Sequence, residues 1–239
     1  MGPLVIFDPG WDLNPSWSPD GQSIYYTSAA NSSIYQKAAD GTGSEHLIHE
    51  GWAPRLSPDG RWLVFEDDIP PALNDVLAMA LPADTSTAPT NLVATAANER
   101  SPMISPDGKY LAYVSSESGR DEIYLTKFPE AQGKWQVSVE GGTRPRWDQA
   151  GGKLYFTSPT AVMEVEVATG PTPTLGNPRQ LFTFEQAHVL MGRTGSFDPE
   201  RGGKRFVMSY NASGPVHPKL RIAVVENWAS EFKTASATK

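Results

Sequence analysis

Pro15-Ser16-Trp17-Ser18-Pro19-Asp20-Gly21, running into Ser23-Ile24-Tyr25-Tyr26-Thr27-Ser28, is the stretch that decides the fold. Its first residues read as a short strand. Ser-Pro-Asp-Gly then reads as a tight turn, in which Pro presets φ, the Asp carboxylate accepts backbone N–H groups and Gly takes a positive φ. The β-branched and aromatic run that follows reads as a second strand. The frame returns as Pro54-Arg55-Leu56-Ser57-Pro58-Asp59-Gly60 before Trp62-Leu63-Val64-Phe65. It returns again as Pro102-Met103-Ile104-Ser105-Pro106-Asp107-Gly108 before Tyr110-Leu111-Ala112-Tyr113-Val114.

Two weaker copies follow. Pro145-Arg146-Trp147-Asp148 leads through Gly151-Gly152 to Lys153-Leu154-Tyr155-Phe156-Thr157. Ser196-Phe197-Asp198-Pro199 leads through Gly202-Gly203 to Lys204-Arg205-Phe206-Val207-Met208. Pro15, Pro54, Pro102 and Pro145 are separated by 39, 48 and 43 residues, a period in the range of propeller blades. Third strands are predicted at Ser33–Lys37, Asp75–Met79, Glu122–Thr126, Val162–Glu166 and Leu220–Val225. Fourth strands are predicted at His46–His49, Asn91–Ala94, Trp135–Val139 and Gln180–Thr183.

The fifth copy has no fourth strand after Val225, whereas Leu4-Val5-Ile6-Phe7 precedes the first copy without a partner. The expected fold is therefore an all-β propeller of five four-stranded antiparallel blades, with Leu4–Phe7 completing the last blade and removing its open edge. The alternative is a piece of a six-bladed ring. The blades fall at about 15–49, 54–95, 102–140, 145–185 and 195–226 plus 4–7, in one domain over 1–233 with a tail at 234–239.

Composition agrees. The chain of 239 residues carries 21 glycines and 21 prolines, which favours many short strands and turns over long helices. Hydrophobic residues make up 39% and charged residues 20%, so the chain has enough apolar material for a core and too little charge for a disordered segment. A net charge of −7 argues against nucleic-acid binding, which relies on cations that neutralise phosphates. Cysteine is absent, which excludes disulfides and thiolate metal sites. No run is long and apolar enough to span a membrane, and Met1-Gly2-Pro3-Leu4 is not a signal peptide.

On the Pro-x-Trp-Ser-Pro-Asp-Gly turns the chain resembles the TolB-like, WD40-like propeller repeat. Ser116-Glu117-Ser118-Gly119-Arg120-Asp121-Glu122-Ile123-Tyr124, Phe128-Pro129, Gly133-Lys134-Trp135-Gln136-Val137-Ser138, Gly141-Gly142-Thr143-Arg144-Pro145-Arg146-Trp147 and Asn227-Trp228 are similar to propellers attached to bacterial serine/threonine kinases. The resemblance implies an extracytoplasmic or periplasmic module that senses or binds a protein, peptide or small ligand; the chain is expected to be a monomer. It also implies six blades, against the five counted. No Gly-rich phosphate loop, His-Arg-Asp or Asp-Phe-Gly is present.

Asp20, Asp59 and Asp107 recur with the turn residues and are read as turn formers. Candidate functional residues are those just before each repeated Pro, at the predicted axial funnel: Asp12, Asn14, Trp52, Glu99, Arg100, Thr143, Arg144, His188 and Arg193. Asp12, Asn14, Glu99 and His188 offer oxygen and imidazole to a divalent cation such as calcium or zinc, the equipment of a hydrolase acting on an ester, lactone or phosphotriester. Arg100, Arg144 and Arg193 instead offer forked hydrogen bonds to an anion or a carboxylate-bearing peptide. The third reading is that these are solvated loop residues.

Overall fold

The computed structural model describes residues 12–67, 74–83, 88–187, 196–212 and 219–226. Every regular element among them is a β-strand, so no helix is long and apolar enough to cross a membrane. The strands form five antiparallel sheets in chain order. The chain divides into two compact units, Met1–Arg120 with Tyr124–Trp135, and Asp121–Ile123 with Gln136–Lys239.

The first unit holds sheet 1, made of β1 (Asp12–Trp17), β2 (Ser23–Ser28), β3 (Ser33–Ala38) and β4 (His46–Glu50). Sheet 2 follows with β5 (Trp52–Leu56), β6 (Trp62–Asp67), β7 (Asp75–Ala80) and β8 (Thr90–Val93). Sheet 3 contains β9 (Glu99–Ile104), β10 (Tyr110–Ser115), β11 (Glu122–Lys127) and β12 (Trp135–Gln136), and contributes residues to both units. Strand alternation buries both faces of sheet 2. Leu63, Phe65, Leu77 and Met79 pack on Tyr25, Ile34 and Ile48 of sheet 1. Val64, Val76, Ala78 and Val93 pack on Leu111, Tyr113, Tyr124 and Phe128 of sheet 3. Each fully buried chain of this size contributes about 1.5–3 kcal/mol.

The second unit holds sheet 4, with β13 (Thr143–Trp147), β14 (Lys153–Thr157), β15 (Ala161–Ala168), β16 (Thr174–Leu175) and β17 (Arg179–Thr183). Here the outer edge is split, because β16 pairs with the end of β15 and β17 with its beginning. Sheet 5 has β18 (Ser196–Pro199), β19 (Arg205–Ala212) and β20 (Lys219–Glu226). Tyr155, Val162, Leu181 and Phe182 form one core with Phe197, Phe206 and Met208.

Ser-Pro-Asp-Gly folds as its chemistry dictates. The Gly21, Gly60 and Gly108 amides donate to the Ser18, Ser57 and Ser105 carbonyls at 2.8, 2.9 and 2.8 Å, and those glycines have φ of 69°, 71° and 70°. Asp Oδ1 accepts the Ser hydroxyl at 2.6 Å in all three turns. It also accepts the amide two residues on, from Gln22, Arg61 and Lys109. In the weaker copies Asp148 and Glu200 occupy the Ser position, accepting the Gly151 and Gly203 amides on their carbonyls at 2.8 Å.

Several strand expectations shift. The first strands begin two or three residues ahead of the repeated Pro. The fourth strand of sheet 3 stops at Gln136, because the Val137 and Ser138 amides both turn onto the Ile123 carbonyl. Leu220–Val225 extends to Lys219–Glu226. Leu4–Phe7 and the 234–239 tail lie outside the described residues.

Candidate functional site

The residue before each repeated Pro has a conformation that the sequence does not announce. Asn14, Ala53, Ser101 and Arg144 all lie in the left-handed region, with φ of 54°, 52°, 56° and 55°. Pro lacks the N–H that a ladder needs, so each strand bulges at the dipeptide. The pairing registers jump there, leaving two residues opposite one aromatic: Asn14-Pro15 faces Tyr26, Ala53-Pro54 faces Phe65, Ser101-Pro102 faces Tyr113, and Arg144-Pro145 faces Phe156. All four aromatics are buried. A left-handed non-glycine residue costs on the order of 1–3 kcal/mol, so four buried rings hold a strained backbone in four equivalent places. Sheet 5 lacks the Pro, and its register runs unbroken from Ser196 to Pro199.

In the first unit β1 lies against β5 and β5 against β9. Their leading ends carry Leu13, Trp52 and Arg100 at one register position, opposite Thr27, Glu66 and Val114. Asn14 is exposed, while Trp52 and Arg100 are half-buried. Asp12 pairs with Ser28 in the ladder. The Ser101 amide donates to Glu66 Oε1 at 2.7 Å, so the carboxylate of one sheet holds the bulge of the next.

Glu99 differs from the other candidates. It is fully buried; Oε1 accepts the Thr95 hydroxyl at 2.6 Å and the Ser115 hydroxyl at 3.0 Å, and Oε2 accepts the Thr95 amide at 3.3 Å. Its carboxylate thus ties the loop before β9 to the end of β10. Nearby, burial pushes the Asp75 carboxyl above its ordinary range, aided by the charges of Glu99 and Asp67. Among the described residues no three His, Cys, Asp or Glu side chains gather to hold a metal ion.

In the second unit Thr143 Oγ1 lies 2.9 Å from Thr157 Oγ1, and Arg144 reaches Thr143 Oγ1 at 3.4 Å. His188 and Arg193 lie outside the described residues.

The residue after the repeated Pro also matters, and sequence reasoning passed over it. Arg55 donates from Nη1 to the Pro54 carbonyl at 2.9 Å and to the Asn14 carbonyl at 3.5 Å, and from Nε to Met103 Sδ at 3.2 Å. One side chain therefore spans three sheets of the first unit. Its counterpart in the second unit, Arg146, donates to the Pro145 carbonyl at 2.8 Å and to Asp198 at 3.0 Å. The signal was present as two Pro-Arg dipeptides in the same frame of the repeat.

No family model and no curated protein matches the chain. Solved structures do. TolB from Acinetobacter baumannii aligns at a TM-score of 0.64 and 18% identity, over 91% of this chain and 52% of that one. The fold is that of a TolB-like β-propeller. Putative TolB from Agrobacterium tumefaciens aligns at 0.67 and 16% identity over 92% of this chain and 79% of that one. A gluconolactonase from Xanthomonas campestris aligns at 0.63 and 13% over 91% and 73%. The chain thus spans about half the length of the Acinetobacter TolB. At these identities the TolB-like likeness is one of fold.

Proposed function

We propose that this TolB-like propeller is a non-catalytic binding module that recognises a protein, peptide or small-molecule ligand through the leading ends of its first strands. The observation that carries this reading is the bulge. Its backbone is nearly identical in four sheets, yet the side chains on it differ: Leu13-Asn14, Trp52-Ala53, Arg100-Ser101 and Thr143-Arg144. A rigid frame that presents varied side chains is the arrangement of a recognition surface. In the first unit an aromatic, a guanidinium and an amide suit a ligand with an apolar portion beside a carboxylate or carbonyl. An extracytoplasmic location accords with this reading through the repeat it resembles.

The competing reading is a metal-dependent hydrolase, which the gluconolactonase among the structural neighbours keeps in view. The hydrogen bonds that engage Glu99 weigh against it.

Titration of purified protein with peptides bearing a free C-terminal carboxylate or its amide, followed by tryptophan fluorescence, tests the proposal. Binding of the carboxylate form should weaken about tenfold in Trp52→Ala and Arg100→Gln, a loss of about 1.4 kcal/mol, with the unfolding midpoint retained. Stoichiometric divalent metal, with chelator-sensitive turnover of an ester, lactone or phosphotriester that Glu99→Gln abolishes, would overturn it.

A further inference from the structure

Asp-Gly is the aspartyl dipeptide most prone to close on itself, because glycine leaves its own amide nitrogen free to approach the aspartate side chain. The chain contains four: Asp20-Gly21, Asp40-Gly41, Asp59-Gly60 and Asp107-Gly108. Three sit in the repeated turns. The fourth joins β3 to β4, where residues 40–44 are all exposed.

All four glycine amides are hydrogen-bonded, to Ser18, Ala38, Ser57 and Ser105 carbonyls, and the Gly41 bond is the longest at 3.1 Å. All four carboxylates accept a hydroxyl and an amide. The hydroxyls have different origins. In the repeated turns the hydroxyl belongs to the serine ahead of the Pro, and that Ser Oγ also accepts the first amide of the next strand. Ser23, Trp62 and Tyr110 donate to it at 2.9, 3.0 and 3.0 Å. Ser57 and Ser105 are buried. Freeing Asp59 or Asp107 therefore disrupts the start of β6 or β10. At Asp40 both partners are the amide and hydroxyl of Thr42, at 2.9 and 2.7 Å. Asp40 can leave its turn without disturbing any strand.

We propose that Asp40–Gly41 is the protein's site of succinimide and isoaspartate formation, and that the turn serines shield the same dipeptide in the three repeats. The Gly41 amide nitrogen loses its proton and attacks Asp40 Cγ. The N–Cγ bond forms, the Cγ–O bond breaks and water departs. Water then opens the five-membered imide at one of its carbonyls. Opening at the backbone carbonyl leaves the main chain running through Cγ, with the α-carboxylate as the new side group. Opening at Cγ restores aspartate. Neither step changes oxidation state. Isoaspartate at this position adds a methylene to the β3–β4 connection and removes the carboxylate from Thr42.

The test ages the native protein at neutral pH and 37 °C, maps isoaspartate by peptide mass spectrometry with ¹⁸O-water, and repeats the map in urea. All four dipeptides should react in urea. In the native protein Asp40 should react, and Asp59 and Asp107 should be about tenfold slower, the ratio that about 1.4 kcal/mol of additional opening cost sets. Ser57→Ala should raise the rate at Asp59 alone. Equal native rates at the four sites, no native reaction at Asp40, or an unchanged Asp59 rate in a folded Ser57→Ala protein would each overturn the proposal. Should Ser57→Ala fail to fold, the wild-type comparison of Asp40 with Asp59 and Asp107 still decides it.

Discussion

Each first strand has two unlike ends. At the turn end, sheets 1 to 3 repeat Ser-Pro-Asp-Gly letter for letter, and its polar groups bond to one another or to the strand that follows. At the leading end the backbone repeats and the residues do not: φ near 55° recurs on Asn14, Ala53, Ser101 and Arg144. Where side chains repeat, their bonding capacity is taken up in building the fold. Where only the backbone repeats, the side chains differ from sheet to sheet, and that difference directs the functional proposal to the leading ends.

The largest effect is expected from crowding the leading end. Gly51 precedes β5 with φ of 140°, and a Cβ there would sit 2.8 Å from the Glu66 carbonyl and 2.8 Å from Phe65 Cδ2. One obstacle is backbone and the other a buried ring opposite the bulge, so neither yields easily. Gly51→Ala should destabilise the protein by about 2–3 kcal/mol in urea unfolding. Gly21→Ala, at the turn end, meets nothing within 4 Å among the described residues and should cost only the strain of its φ, about 1 kcal/mol. Equal losses would erase the distinction between a packed leading end and an open turn end.

A smaller effect separates two leading ends from each other. Thr27 and Thr157 occupy equivalent positions, and both are buried. Thr157 bonds with Thr143, through its hydroxyl at 2.9 Å and to its carbonyl at 3.1 Å. Thr27 faces Leu13 instead, and among the described residues its hydroxyl has no partner. Removing both hydroxyls should therefore act in opposite directions. Thr27→Val should stabilise by about 1 kcal/mol, because an unsatisfied buried hydroxyl is a cost. Thr157→Val should destabilise by a similar amount, about 1 kcal/mol. Unfolding midpoints of the two variants check the pair. The same sign in both would show that the Thr143 bond does not matter.

The turn end was legible in the sequence because each residue acts locally: Pro on its own φ, Asp on the amide two residues on, and Gly on its own positive φ. The leading end was legible only as a place. Asn, Ala, Ser and Arg share no chemistry that announces a left-handed residue, and the bulge follows from the following Pro meeting an aromatic across the ladder. Glu99 looked like a ligand because its partners, Thr95 and Ser115, become visible only when β9 and β10 pair. Arg55 was missed because its acceptors lie on three strands brought together by packing. Local conformation shows in the letters of a repeat, whereas contacts between repeats depend on how the sheets pack.

The smallest effect distinguishes the carboxylates of the two ends by pH. At the turn end the Ser57 hydroxyl, then the Arg61 amide and side chain, hold Asp59 at about 2. Its folded value lies below the ordinary carboxylate value of about 3.9. Asp59 therefore contributes stability at neutral pH, and the contribution is lost as pH falls through its folded value. At the leading end Asp75 is shifted the other way by burial and by Glu99 and Asp67. Its ionised form is disfavoured in the folded protein, so it costs stability at neutral pH, and acid relieves the cost. Asp75→Asn should accordingly raise the urea midpoint near neutrality and lose the advantage as pH falls. Asp59→Asn should lower the midpoint near neutrality and flatten the decline between about pH 4 and pH 2. Asp59 is exposed, so solvent screening keeps its share small, and midpoints must be compared at fixed low ionic strength. Parallel pH profiles for the two variants would mean that the ends do not differ in how they use charge.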